Sequence, residues 1–255
     1  SGTMQPLKNV SVRAGGSSAQ TDSSGIAKLD AVRLGRTKLQ IEKRAFAPYE
    51  RAITVGWGSN PLGEFRAEAV GTQYTFFVTD YLSGTPIAGA EAESGEGNAS
   101  SDEEGKIVLT LDTSKLDDAA QISINITAKD YRTETLNITV NNRERQSVSL
   151  VPARKHVFIT KRSGMYDLYA VDVDGKNERR LKAGTSTIRD DITLVPHPHK
   201  NQVAFIATYE NTRNPSGYLL STLYVVDVDT GDMMKLDQSE QIQIIGWSRS
   251  GRLVY

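Results

Sequence analysis

Tyr166-Asp-Leu-Tyr-Ala-Val-Asp-Val-Asp174-Gly175 returns fifty-five residues later as Ser221-Thr-Leu-Tyr-Val-Val-Asp-Val-Asp229-Thr-Gly231. Each copy steps into a basic residue and a leucine, Arg180-Leu181 or Lys235-Leu236. A second pair brackets them, Pro196-His-Pro-His-Lys-Asn201-Gln-Val-Ala-Phe205 and Gly246-Trp-Ser-Arg-Ser-Gly251-Arg-Leu-Val-Tyr255. Repetition on this scale indicates stacked units. The runs Leu223–Val226 and Val203–Ile206 are apolar on consecutive residues, so both faces of each strand are covered. A propeller blade, held between two neighbours, meets that condition. Asp174-Gly175 and Thr230-Gly231 fall where a hairpin needs positive φ. Asn201 stands in the place of Gly251 and is expected to take the same left-handed conformation.

Upstream the pattern changes. Tyr74, Phe76 and Val78 share one strand face, as do Ile107, Leu109 and Leu111, then Ile122, Ile124 and Ile126, then Leu136, Ile138 and Val140. Strict alternation is the mark of strands with one face on a core, and four of them predict a small β-sandwich. Asn9–Val12, Lys38–Ile41 and Arg51–Val55 alternate in the same way. The two stretches are copies of each other. Pro6-Leu-Lys-Asn-Val matches Pro86-Ile-Ala-Gly-Ala and Thr21-Asp-x-x-Gly25 matches Ser101-Asp-x-x-Gly105, both displaced by 80, while Ile53-Thr-Val55 returns as Ile138-Thr-Val140, displaced by 85. The extra residues fit the Asp112–Ala120 connection, where Thr113–Ala120 predicts one or two helical turns and no more. Phe65–Ala69 is expected as the last strand of the first copy.

Two resemblances follow. Trp247-Ser-Arg-Ser-Gly251-Arg-Leu-Val-Tyr255 resembles the Trp-Ser-Pro-Asp-Gly-x-x-Ile-Ala-Phe signature of TolB-like β-propellers, and Leu223–Gly231 is similar to the strand that follows it in that family. His197 stands where the family carries Trp, and Ser250 where it carries Asp. The strands fall into three, one four-stranded blade over about 188–236, and two more. Propellers close with at least four blades. The sequence is therefore expected to be cut short or to complete the ring in another way. Pro-Leu-x-x-Val, Thr-Asp-x-x-Gly, Lys43-Arg-Ala-Phe46 and Lys129-Asp-Tyr131 resemble the carboxypeptidase-regulatory-like and PEGA families, whose domains are seven-stranded sandwiches used as spacers or adhesion modules on surface proteins. Both copies lack the family's glycine before the aromatic; Ala45 and Asp130 stand there.

The fold expected is all-β: residues 1–5 a cloning scar, 6–71 and 72–151 two tandem transthyretin-like sandwiches, and 152–255 about two blades of a propeller. A net charge of −1 carries no polyelectrolyte signature and argues against nucleic acid as a partner. There is no cysteine, which excludes thiol chemistry and disulfides. No run reaches the ~18 apolar residues of a membrane span.

Chemistry has few candidates. His197 and His199, with Asp190 and Asp191 upstream, are ligand types for a metal, but His197 fills the Trp slot of the repeat and His199 its exposed turn. Asp172-Val-Asp174-Gly175 and Asp227-Val-Asp229-Thr-Gly-Asp232 lack the alternating ligand set of a calcium loop and read as blade turns. Glu103-Glu104 and Asp117-Asp118 are turn carboxylates, and no Gly-x-Ser-x-Gly elbow appears. The sequons at Asn9, Asn98, Asn125 and Asn137 read as incidental. No catalytic residue, cofactor or metal is assigned. Thr208–Tyr218 is inserted within a blade, and inserts on repeats map to a binding face, so Tyr209, Arg213 and Tyr218 are the candidate partner contacts. The resemblances imply a non-catalytic envelope or periplasmic protein, anchored by an N-terminal segment outside this sequence, in which spacers present a propeller to a protein or glycan at the cell surface. The alternative is the accessory front of a prolyl-oligopeptidase-like hydrolase whose catalytic domain follows. Open blade edges also allow self-association.

Overall fold

The computed structural model describes residues 5–95, 97–186 and 192–255, in which every regular element is a strand. It divides into two compact units, Ser1–Leu150 and Val151–Tyr255. The helical turns expected at Thr113–Ala120 are absent. Two successive single turns stand there instead, closed by Leu116 N–H to Thr113 O at 3.0 Å and Ala120 N–H to Asp117 O at 2.9 Å. The Asp112 carboxylate accepts both the amide and the hydroxyl of Ser114, fixing a turn where a helix would have to nucleate. A stretch this short returns too few bonds for its nucleus.

In the first copy, β1 (Ser11–Ala14), β2 (Ser17–Gln20), β3 (Gly35–Glu42) and β4 (Tyr49–Val55) form one antiparallel sheet in the order β2-β1-β3-β4. The second copy holds β5 (Thr72–Asp80), β6 (Glu91–Ser94), β7 (Gly97–Ser100), β8 (Lys106–Leu111), β9 (Gln121–Thr127), β10 (Glu134–Thr139) and β11 (Gln146–Leu150). Its sheets are β10-β9-β6-β7 and β11-β5-β8, a seven-stranded sandwich. The first copy's sheet matches β10-β9-β6-β7 strand for strand, and its pairings coincide once the offsets of 80 and 85 are applied: Val12 faces Ile41 as Ala92 faces Ile126.

The alternating residues do what their spacing predicts. Phe76, Val78, Ile107, Leu109, Ile124 and Ile126 are all fully buried between the sheets. Tyr74 joins them because its hydroxyl donates to Val140 O at 2.8 Å, satisfying a polar tip that would otherwise be stranded. The first copy lacks the second sheet. Leu29, Val32, Leu62 and Phe65, on irregular chain, cover a core of only Ala14, Leu39 and Ile53. The strand expected at Phe65–Ala69 is reduced to a single bridge between Ala69 and Phe46.

A brace recurs in both copies. Thr21 Oγ1 accepts from Val10 N–H at 2.9 Å and donates to Leu7 O; Ser101 Oγ accepts from Ala90 N–H at 2.8 Å and donates to Ile87 O at 2.7 Å. This explains why a hydroxyl residue precedes each Asp-x-x-Gly and is buried. Ala45 and Asp130 both adopt positive φ, 68° and 67°, so the hairpin keeps the backbone that glycine would favour. An alanine there is strained. Ala45→Gly is expected to stabilise the protein by about 0.5–1 kcal/mol, the relief of left-handed strain less glycine's entropy. Asp130→Gly should gain less, because aspartate tolerates that region better. Denaturant midpoints check both.

The second unit is a run of antiparallel meanders. β12 (Lys155–Thr160), β13 (Asp167–Asp172) and β14 (Arg179–Lys182) form one sheet. β15 (Leu194–Pro196), β16 (Gln202–Ala207), β17 (Ser221–Asp227) and β18 (Met233–Ser239) form the four-stranded one, and β19 (Gly246–Trp247) pairs with β20 (Leu253–Val254). Three, four and two strands are what the repeat pattern predicts. The two long copies also share a defect. Register slips between Leu168 and Tyr169 and again between Leu223 and Tyr224, after which Tyr169 faces Arg180 and Tyr224 faces Lys235. Thr222 to Val226 are buried without interruption. Leu168 and Ala170 of the first sheet pack with Phe205, Tyr224 and Val226 of the second. A strand so enclosed needs the continuous apolar run that marks it in the sequence.

Candidate functional site

The insert between β16 and β17 folds as its own small hairpin. Arg213 and Leu219 form a bridge, Asn214 N–H donates to Tyr218 O at 2.9 Å, and Tyr218 N–H returns to Asn214 Oδ1 at 2.8 Å. Arg213 is folded onto the same turn, its guanidinium donating to Gly217 O at 2.8 Å, and Asn214 Nδ2 reaches Glu240. Asparagine at that position suits the role, since its side chain closes the turn that Gly217 permits. Tyr218 projects, 68% exposed.

Tyr209 lies elsewhere. It packs on the blade core, its ring 6.2 Å from Phe205 and 5.8 Å from Tyr224. Burial pushes its phenol up to about 12, with Tyr224 and Asp167 adding to the shift. The structure thus brings Arg213 and Tyr218 together and turns Tyr209 inward, at the root of the hairpin. Residue type alone could not separate these tyrosines. Tyr209 stands in the turn two residues past the end of β16, close enough to the sheet to fold onto it, whereas Tyr218 follows a glycine at the tip of the insert.

The histidines serve the turn before β16. His197 is buried, and its Nδ1 accepts the amides of His199 and Lys200 at 3.0 and 3.1 Å. Its ring lies 4.6 Å from that of Trp247, whose indole donates to Val195 O at 3.0 Å. His199 Nε2 meets Arg249 O at 3.2 Å. The ring of His197 therefore closes its own turn and seats the next repeat's Trp turn against it. This is why Asn201 is not left-handed, contrary to the expectation from Gly251, which is at φ 77°. The imidazole takes over the turn's amides, and Asn201 is freed to bridge Ala153 O and Asp229. Asp190 and Asp191 lie outside the described residues. Among the described residues no three His, Cys, Asp or Glu side chains come close enough to share a metal ion.

Burial, then the neighbouring Lys200 and His199, hold His197 below the usual histidine range, disfavouring its charged form in the folded chain. Unfolding restores the ordinary histidine value of ~6.5, and as pH falls below it the unfolded chain takes up a proton more readily than the folded chain. Stability is expected to fall as pH drops through ~6.5. A His197→Gln variant should show a flatter dependence of melting temperature on pH between neutral and mildly acid buffer. An unchanged slope would remove His197 as the cause.

The acidic turns cap themselves. Asp227 Oδ1 accepts the amides of Asp229 and Thr230, both at 3.0 Å, and those bonds hold its carboxyl below the usual range. Asp172 is engaged by Lys155 and Asn177. Glu103, Glu104, Asp117 and Asp118 are exposed. One surface residue has no counterpart in the sequence reading. Trp57 is 91% exposed on a loop stapled by Asn60, whose Oδ1 accepts Gly56 N–H and whose Nδ2 donates to Gly56 O and Gly58 O. Its flanking glycines were the available signal, since a large aromatic in a Gly-Trp-Gly turn has nothing to pack on.

No protein-family model and no curated protein matches the chain. Among solved structures the chain is similar to one provisionally named TolB, from Agrobacterium tumefaciens, at 12% identity over 91% of this chain and 90% of that one. The TM-score is 0.25, too low for the likeness to bear on fold or function. The shared register slip of β13 and β17, the repeated Asp turns and the interlocked His197 and Trp247 turns are instead internal to this chain, and they make the second unit a stack of blade-like repeats carrying one ordered insert.

Proposed function

We propose that the chain is a non-catalytic binding module of the cell envelope, in which β-sandwich spacers carry a TolB-like propeller portion that engages a protein or glycan. One observation carries the reading: the hairpin between β16 and β17 is pre-ordered by its own hydrogen bonds and holds Tyr218 out into solvent. An ordered loop binds without the entropic cost of freezing it, and tyrosine is enriched where interfaces concentrate their energy. The repeated motifs that resemble spacer and propeller families support the envelope setting.

Affinity capture of envelope proteins and glycans on the immobilised chain tests it. The double variant Arg213→Ala, Tyr218→Ser is expected to lose at least about tenfold in affinity for whatever the parent retains, equivalent to about 1.4 kcal/mol. Equal retention by parent and variant would end the assignment of this face.

A further inference from the structure

We infer that Lys43 and Asn98 are the two ends of an amide cross-link that the chain forms on itself, joining the first copy to the second. Lys43 follows directly on β3, in the hairpin that carries the left-handed Ala45. That hairpin is clamped. Phe46 N–H donates to Lys43 O at 3.1 Å, and Ala45 O accepts the amides of Val70 and Gly71, both at 2.9 Å. The root of the lysine is thereby fixed against the junction of the two copies. Its amine reaches Lys8 O at 2.7 Å and, on β7 of the second copy, Asn98 Oδ1 at 3.4 Å.

The repeat itself does not need this pair. By the offset of 85 the counterpart of Lys43 is Ala128, and by the offset of 80 that of Asn98 is Ser18. Amine and amide meet only where the copies meet. Lys8 beside them makes an ordinary ion pair with Glu91 at 3.2 Å. Among the described residues no carboxylate pairs with Lys43, and both of its contacts are neutral oxygens. Burial holds its ammonium below the usual lysine range. A lysine desolvated in this way is a nucleophile in waiting.

The chemistry balances without a co-reactant. The free amine bonds to Asn98 Cγ, one bond from the oxygen that it already touches. The Cγ–Nδ2 bond breaks and ammonia leaves, so a primary amide becomes a secondary one with no change of oxidation state. The proton shed by Nζ must travel to Nδ2. Glu93 faces Asn98 across β6 and β7, and side chains opposed in this way stand about 5 Å apart at Cβ, within reach of a carboxyl that carries the proton. Aminolysis of an amide is slow between separate molecules, and holding the two groups in contact removes much of that barrier. The product closes a loop over the 55 positions between the two residues and restrains the unfolded chain. This inference does not depend on the proposed role of Tyr218.

The test is the intact mass of the full chain through incubation in mildly alkaline buffer, followed by peptide mapping. The parent is expected to lose the mass of one ammonia molecule, and digestion should release a branched peptide that joins Lys43 to Asn98. Lys43→Arg keeps the cation but cannot close the amide, and should hold the full mass. Asn98→Ala should do the same. Glu93→Gln should link at least about 100-fold more slowly, the gain that general acid–base catalysis supplies. A parent that keeps its full mass would overturn the inference. So would an ammonia loss mapped to a succinimide or to any other residue, with Lys43 and Asn98 recovered in separate linear peptides. Linkage in Glu93→Gln at the parent's rate would overturn the part given to that carboxylate.

Discussion

Phe205→Ala is expected to remove about 3–5 kcal/mol of stability, the range for an aromatic side chain excised from a core that cannot collapse around the gap. Phe205 is inaccessible to solvent. β16 is paired on both edges, to β15 and to β17, so its backbone has no freedom to move into the space. The ring stacks on Tyr224 at 5.5 Å and meets the edge of Tyr209 at 6.2 Å. Both contacts would vanish with it, and aromatic pairs contribute about 0.5–1.5 kcal/mol beyond buried area. The loss should fall on the second unit alone. Exchange-monitored denaturation would show Val151–Tyr255 opening early while the amides of β5 and β9 keep the parent's protection. A loss under about 1 kcal/mol would mean that the three rings can repack, and that this sheet is not held between neighbours as a blade is.

The architecture was legible where one rule of side-chain spacing acted alone. Consecutive apolar residues at Leu223–Val226 marked a strand enclosed on both faces; alternation at Ile122–Ile126 marked one with a wet face. Offsets of 80 and 85 carried over into register because a strand's pairing follows its buried set. The misses share a cause. Asn201 and Thr113–Ala120 were judged on propensity, and in each a side chain chose the backbone: the imidazole of His197 in one turn, the carboxylate of Asp112 in the other. Tyr209 was judged on residue type, and its position in the turn just past β16 placed it on Phe205. The thin core of the first copy could not be read from residues 6–71, whose apolar positions match those of the second copy. What differs is the layer laid over them.

That difference sets the last prediction. Gly105 is at φ 74°, and a Cβ added to it would sit on the carbonyl oxygen of Val78 in β5. Gly105→Ala should therefore cost roughly 3–4 kcal/mol, combining left-handed strain of ~1–2 kcal/mol with the displacement of a buried, hydrogen-bonded strand. Gly25 has nearly the same backbone, φ 73°, but an added Cβ would meet Pro6, at 2.9 Å from its Cβ, and the Leu7 nitrogen at 3.3 Å, with no strand carbonyl beside it. Gly25→Ala carries the strain without the strand, and about 1–2 kcal/mol is expected. Denaturant midpoints of the two variants form an internal control, because sequence context and turn chemistry are shared and only the overlying strand is not. Equal costs would show that β5 yields to the methyl group.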